Sequence, residues 1–378
     1  MQVIGIIAEY NPFHLGHSYQ INEIKKRYPD SVIIAIISTN FTQRGDISIL
    51  NKWEKTTIAL EYGIDLVIEL PTYYATQSAD IFAYGALSIL NKFKIDTLIF
   101  GTECGDIELL KKAATIQLDK EKYDHLVKEY LKTGINYPTA LNNALKDLNI
   151  PHIDKPNDLL GLSYIKEIIK NNYNINPVTI QRTNDYHAKT VDNNIISANL
   201  IREKLLKNED ISPYIPELTG KYLTKHIDIS IAYPLLTYAI ITNKSRLETF
   251  LDVDEGLENR IINKLNISNS WNELITNIKC KRYTYNRLNR MLIHILLNIP
   301  KNMPSKEPYL RVLGFTKKGQ NYLNTIKKSV SEPIYTQYKP QKNLLFDMEL
   351  QSTYIYAIIT NNKSLIKAEY TYKPIIKK

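Results

Sequence analysis

Apolar residues follow two rhythms in the first half of the chain. Short, unbroken, β-branched runs occupy residues 2–9 (QVIGIIAE), 31–38 (SVIIAIIS), 66–70 (LVIEL) and 97–100 (TLIF). Between them the pattern is helical, over 17–27, 53–62 and 75–90. Continuous runs suit parallel strands buried on both faces, since neither face meets water. The alternation predicts a doubly wound parallel sheet with right-handed crossovers. Further helices are expected over 108–132 and 157–170, a fifth strand over 174–181 (NINPVTIQ), and another helix from Ser197. The second half differs. Its strong patterns are helical, as in 255–265 and 286–297, with breaks at Pro300, Pro304, Pro308 and Pro333. The expected fold class is α/β: a doubly wound parallel sheet over 1–207, followed by a mainly α-helical basic domain over 208–378.

Charge divides at the same place. The 378 residues carry 48 Lys and Arg against 39 Asp and Glu, a net charge of +9. Residues 1–207 hold 23 basic and 24 acidic side chains, whereas 208–378 hold 25 and 15. The window 279–328 alone has 12 basic residues and one acid, Glu307. A basic half joined to a neutral half suggests a polyanion-binding module attached to something else. Compositional bias toward Lys is the alternative, but the neutral half shares that bias without the charge. Lys281, Arg282, Arg287 and Arg290 accompany Tyr283 and Tyr285. Cations of this kind hold RNA phosphates while a Tyr stacks on an unpaired base; a solvated helix face with buried tyrosines is the other reading. Arg287 and Arg290 are three apart and so face the same way on a helix. Arg311, Lys317 and Lys318 would extend the same stripe. Residues 314–319 have the glycine spacing of a phosphate loop, but Gln320 stands where that motif requires Lys.

Two cysteines, Cys104 and Cys280, make neither a disulfide framework nor a four-thiolate zinc site, which points to a reducing compartment. Residues 1–7 lack the features of a signal peptide, and the apolar stretch 229–241 is interrupted by Pro234. That stretch also falls short of the roughly 20 residues of a bilayer span. A cytoplasmic protein is expected, with no membrane contact and no obligate protein partner.

The chemistry-bearing segment follows the first strand: Glu9-Tyr10-Asn11-Pro12-Phe13-His14-Leu15-Gly16-His17. Ligands of open α/β sheets bind beyond the carboxyl ends of strands. His14 and His17 share one face if a helix begins near His14. Gly16 would let a base or ribose approach the backbone, and the helix start offers N–H groups and a positive dipole end to phosphate. Two imidazoles there donate hydrogen bonds to phosphoryl oxygens as displacement develops charge. Taken singly, each His also reads as a cap or a satisfied surface group. No partner cluster follows at metal-ligand spacing, so no metal site is assigned.

His14-Leu15-Gly16-His17 resembles the HIGH signature of the nucleotidyltransferase superfamily, and residues 197–202 (SANLIR) resemble its second signature, with Asn199 where Ser or Thr is usual. Residues 7–20 (IAEYNPFHLGHSYQ), 40–45 (NFTQRG), 65–71 (DLVIELP), 100–103 (FGTE), 155–160 (KPNDLL) and 309–315 (YLRVLGF) resemble the bacterial tRNA(Met) cytidine acetate ligases. The resemblance implies a Rossmann-like nucleotidyltransferase fold that activates acetate with ATP as acetyl-adenylate. The acetyl group then passes to N4 of the wobble cytidine of elongator tRNA(Met). Acetate is a poor acyl donor until AMP replaces oxide as the leaving group, and the weakly nucleophilic cytosine amine needs that acyl group held in line.

By resemblance, ATP contacts fall on Ile7, Ala8, Glu9, Tyr10, Asn11, Pro12, Phe13, His14, Leu15, Gly16, His17, Ser18, Tyr19 and Gln20, and on Gly101, Asn157 and Arg182. Ser197 opens the second signature, and Arg202 is placed for the β- and γ-phosphates; His14, His17 and Arg202 are the expected catalytic residues. Mg²⁺ is expected with ATP. Several of these have structural alternatives: a plain turn at Gly101, an N-cap at Asn157, a surface ion pair at Arg182, and a bridge from Arg202 to Glu203 or Asp192. Glu9 and Glu103 either assist Mg²⁺ or cap loops. Asn40, Gln43, Arg44 and His187 are candidates for seating acetate or the target base. Two other functions stay open: a small-molecule adenylyltransferase, and a non-catalytic RNA-binding protein with a relict nucleotide site.

Overall fold

A computed structural model describes residues 1–182, 194–223, 229–303, 307–338 and 343–378. Its centre is a sheet whose strands are β1 (Val3–Ala8), β2 (Val32–Ser38), β3 (Leu66–Leu70), β4 (Thr97–Thr102), β5 (Asn176–Gln181), β6 (Leu310–Thr316), β7 (Ile334–Tyr335) and β8 (Ile375–Lys377). The order is β5-β4-β1-β2-β3-β6-β7, with β8 also paired to β6. Strands β1 to β5 pair in parallel, as the continuous apolar runs of β1 to β4 suggest. Every residue of β2 and β3 is buried, from Val32 to Ser38 and from Leu66 to Leu70.

The helices largely follow the expected pattern, with two breaks. The 75–90 pattern is split into Thr72–Ala75 and Ala79–Lys92, and 108–132 into Ile107–Leu118 and Lys120–Lys132 around the non-helical Asp119. A further helix, Tyr137–Asp147, starts at Asn136, whose side chain accepts from Thr139 N at 3.1 Å.

The C-terminal half departs most from expectation. It is mostly helical, yet it also completes the sheet: β6 pairs antiparallel with β3, through Leu66 with Phe315 and Ile68 with Val312. β7 and β8 share the outer edge of β6. One apolar core therefore runs from Ile4 and Ile36 to Leu292, Leu310 and Phe346. The apolar run of β6 is interrupted by Arg311 and Gly314, which hid it as a strand although its first six residues are buried. Among the described residues no helix is long and apolar enough to cross a membrane.

A buried ionic cluster fastens this late segment. Lys52 contacts Glu69, Glu349 and Glu369 at 2.6–3.0 Å, and Arg311 contacts Glu369 at 2.7 Å and Glu69 at 3.3 Å. Burial works against the Lys52 charge, but the three carboxylates hold its pKa up. Burial also pushes Glu369 toward neutrality, yet Lys52 and Arg311 bring its pKa down to about 2. Arg311 is fully buried, which corrects its assignment to an RNA-facing stripe. Lys317 and Lys318 are corrected as well. They begin the helix Lys317–Ile326 at the amino-terminal edge of the sheet, where Lys318 Nζ meets Ser31 O.

Candidate active site

At the opposite edge, beyond the carboxyl ends of β1, β4 and β5, lies a cavity of about 890 Å³. The β1 turn enters it through Tyr10, whose φ is +47°, and a cis Asn11–Pro12 bond. His14 is then the N-cap of the helix Leu15–Arg27. Its Nδ1 accepts from Gly16 N at 3.0 Å, while His17 Nδ1 accepts from His14 N at 3.2 Å. With Nδ1 committed as an acceptor, each neutral ring carries its proton on Nε2. Burial, then the nearby Arg182 charge, hold His14 down to about 3; burial, His14 and Arg182 keep His17 well below its ordinary range. The pair is therefore two neutral N–H donors, 3.9 Å apart at the ring centres.

Gly16 acts differently from expectation. A Cβ there would meet His14 Cε1 at 2.8 Å, so its missing side chain makes room for the His14 ring. A Cβ at Gly101 would meet only the Arg182 side chain, at 3.4 Å and beyond, so the protein itself does not require glycine at this cavity wall.

Further donors converge on the same space. Asn11 Oδ1 accepts from Ile49 N at 2.8 Å, leaving Asn11 Nδ2 buried without a partner. Arg182 Nε is likewise buried and unpartnered. Arg202 bridges neither Glu203 nor any other described acid but Asp46, at 3.0 Å, and also donates to Asn11 O at 2.8 Å and to Asn199 Oδ1 at 3.0 Å. Asn199 is thus a support for Arg202. Ser197 caps its helix by accepting from Leu200 N at 3.2 Å. Buried N–H donors without acceptors are costly, and an anionic ligand satisfies them.

The chain matches the profile of the HIGH Nucleotidyl Transferase family over residues 1–370. It is 38% identical to the tRNA(Met) cytidine acetate ligase of Caldicellulosiruptor saccharolyticus over 379 residues, covering 95% of this chain and 94% of that one. It is 37% identical to the protein of the same name from Clostridium perfringens, with both chains covered in full. This chain belongs to the tRNA(Met) cytidine acetate ligase family. The crystal structure of Thermotoga maritima TmcAL bound with alpha-thio ATP superposes with a TM-score of 0.90 at 28% identity, covering 100% of this chain and 99% of that one.

Residues expected to hold ATP in the tRNA(Met) cytidine acetate ligase family mostly line the cavity: Ile7 to Asn11, His14, Gly16, His17, Tyr19, Gln20, Gly101, Asn157, Arg182, Ser197 and Arg202. Pro12, Phe13, Leu15 and Ser18 do not; Phe13 is fully buried and stacks on Tyr62. Asn157 is not an N-cap, a position held by Lys155, and instead donates to Glu103. Glu103 also accepts from Asp158 N, and Glu9 from Gln43 N at 2.7 Å, so both acids brace loops.

Gln43 and Arg44 reach the cavity, but Asn40 points away and donates to Ser352 and Thr353 at 3.2 and 3.0 Å. His187 and Asp192 lie outside the described residues. Arg282 and Arg287 stand at the cavity with outer ion pairs to Glu255 and Asp254, at 3.0 and 3.3 Å, and Lys281 is exposed beside them. Arg290, expected to share their outward face, is only 9% exposed. Sequence reading missed Asp46, which accepts from Arg202 and from Asn289 Nδ2 at 3.3 Å; its only signal was its place directly after the 40–45 loop.

Proposed function

We propose that the protein ligates acetate to N4 of the wobble cytidine of elongator tRNA(Met), using ATP and releasing AMP and pyrophosphate. One observation carries the reading: two neutral imidazole N–H donors line one cavity at the sheet's carboxyl edge together with Asn11 and Arg182, each of which keeps a buried N–H group without a partner. A carboxylate oxygen of acetate attacks the α-phosphorus, and the bond to the bridging oxygen breaks as pyrophosphate leaves with the electron pair. Cytosine N4 then attacks the acyl carbon, the bond to AMP breaks, and N4 sheds a proton. His14 and His17 stabilise charge on the phosphoryl oxygens during the first step.

Arg202 is read as a β/γ-phosphate ligand that exchanges Asp46 for phosphate when ATP enters. Lys281, Arg282 and Arg287 are read as contacts to tRNA phosphates, the part-exposed ion pairs of Arg282 and Arg287 being weak enough to exchange. Mg²⁺ is expected to enter on the triphosphate, because among the described residues no three His, Cys, Asp or Glu side chains form a metal-ligand set. The reading places the protein in the cytoplasm, where its RNA substrate is.

The test incubates the protein with ATP, labelled acetate and unmodified elongator tRNA(Met), followed by nucleoside analysis of the digested RNA. An N4-acetylcytidine peak is expected. In His14→Ala or His17→Ala, product formation should fall by roughly 10²–10³-fold at unchanged circular dichroism. Normal turnover in both variants would refute the assignment.

A further inference from the structure

Arg290 belongs to the helix Tyr285–Leu296 and lines the cavity, yet it is nine-tenths buried. Its Nε has no hydrogen-bond partner, and its terminal N–H groups make one long contact, to Gln43 O at 3.3 Å. Asp252, the acid whose field reaches it, is turned to His294 Nδ1 at 3.3 Å. A desolvated guanidinium in this state is costly, and a carboxylate that takes two parallel hydrogen bonds offsets the cost.

Position narrows the occupant. The 43–45 loop rests directly on this helix: a Cβ at Gly45 would meet Arg290 N at 2.6 Å. Arg290 thus sits where the ATP-lined side of the cavity meets the helix whose outer start carries Arg287. An acyl group passed from nucleotide to RNA must cross that junction. Its burial beneath the 43–45 loop suits a carboxylate bearing one methyl group better than a phosphodiester flanked by two riboses. Arg182 shares the unpartnered Nε, but its charge bears on His14 and His17, which groups it with the phosphates.

We propose that Arg290 binds the carboxylate of acetate through its terminal guanidinium N–H groups, and so forms the acetate subsite. The inference rests on the acetate-ligase reading above. The test measures KM for acetate, ATP and tRNA(Met) in the full-length wild type, R290Q and R290K, with the other two substrates saturating. The acetate KM is expected to rise about 30-fold in R290Q and about 10-fold in R290K, since Lys keeps the charge but loses the planar fork. KM for ATP and tRNA should stay within about twofold, a split that a merely structural role would not produce.

A raised tRNA KM with unchanged acetate KM would overturn the proposal and make Arg290 an RNA contact. Unchanged values for all three substrates would also overturn it. If R290Q fails to fold, R290K decides alone. A wild type that forms N4-acetylcytidine while the variants match it sinks this subsite only. A wild type that uses no acetate sinks the underlying reading and the subsite with it.

Discussion

At the scale of single residues, the imidazole pair shows how a backbone cap fixes two rings as neutral N–H donors. Because Nδ1 of each ring accepts a backbone N–H, the rings must stay neutral to hold the helix start. The consequence is a definite pH dependence. His14 is held down to about 3 from an ordinary 6.5, so below pH 6.5 the unfolded chain takes up a proton that the folded chain refuses. Stability is therefore lost as pH falls from 6.5 toward 3. At pH 5 the loss from His14 alone is about 2 kcal/mol. Urea unfolding at pH 7.5 and 5 should show that extra loss in the wild type relative to His14→Asn, which keeps a capping oxygen. The two rings were legible in the sequence, but the purpose of Gly16 was not. Its clash is with a ring two residues away, and only the cap geometry brings that ring back.

Secondary-structure elements carry the next level of the argument. Glu349, on the helix Leu344–Ile359, accepts from Thr39 Oγ1, Thr72 N and Lys52 Nζ at 2.8–3.0 Å. Thr39 leads into the loop that brings Gln43 and Arg44 to the cavity. Removing the carboxylate in Glu349→Ala strands buried donors, and an unfolding free energy lower by about 3–5 kcal/mol is expected by chemical denaturation. The KM for ATP should rise in the same variant as the loop loosens.

Strands β1 to β4 were readable because a strand buried on both faces leaves an unbroken apolar run, whereas β5, at the sheet edge, is mixed in sequence and mostly part-exposed. Arg290 was misread for the converse reason. Spacing puts it on one helical face with Arg287, but that face passes under the 43–45 loop within one turn. Long-range packing of that kind leaves no local pattern.

Across the whole molecule, charge and chemistry share one opening. Arg282 and Arg287 stand where the cavity meets solvent, with Lys281 exposed next to Arg282 in the chain, while His14, His17 and Arg182 line the cavity further in. The double variant Arg282→Gln/Arg287→Gln should weaken tRNA binding and lower the slope of log K against log salt by about 1–2, leaving the KM for ATP unchanged. Filter binding at several salt concentrations checks this. The charge count marks residues 208–378 as the basic half. It also mixed in Arg311, Lys317 and Lys318, because a tally cannot tell a buried cation or the far edge of a sheet from an RNA-facing surface.

The antiparallel pairing of β6 with β3 has a consequence for how the chain is made and inherited. A ribosome delivers the nucleotide-binding strands first, with the outer rim of β3 bare until the last stretch of polypeptide emerges to cover it. Splitting the gene after Lys207 would therefore leave an adhesive edge on one product and orphaned strands on the other. Both halves are therefore expected to stay on one continuous reading frame.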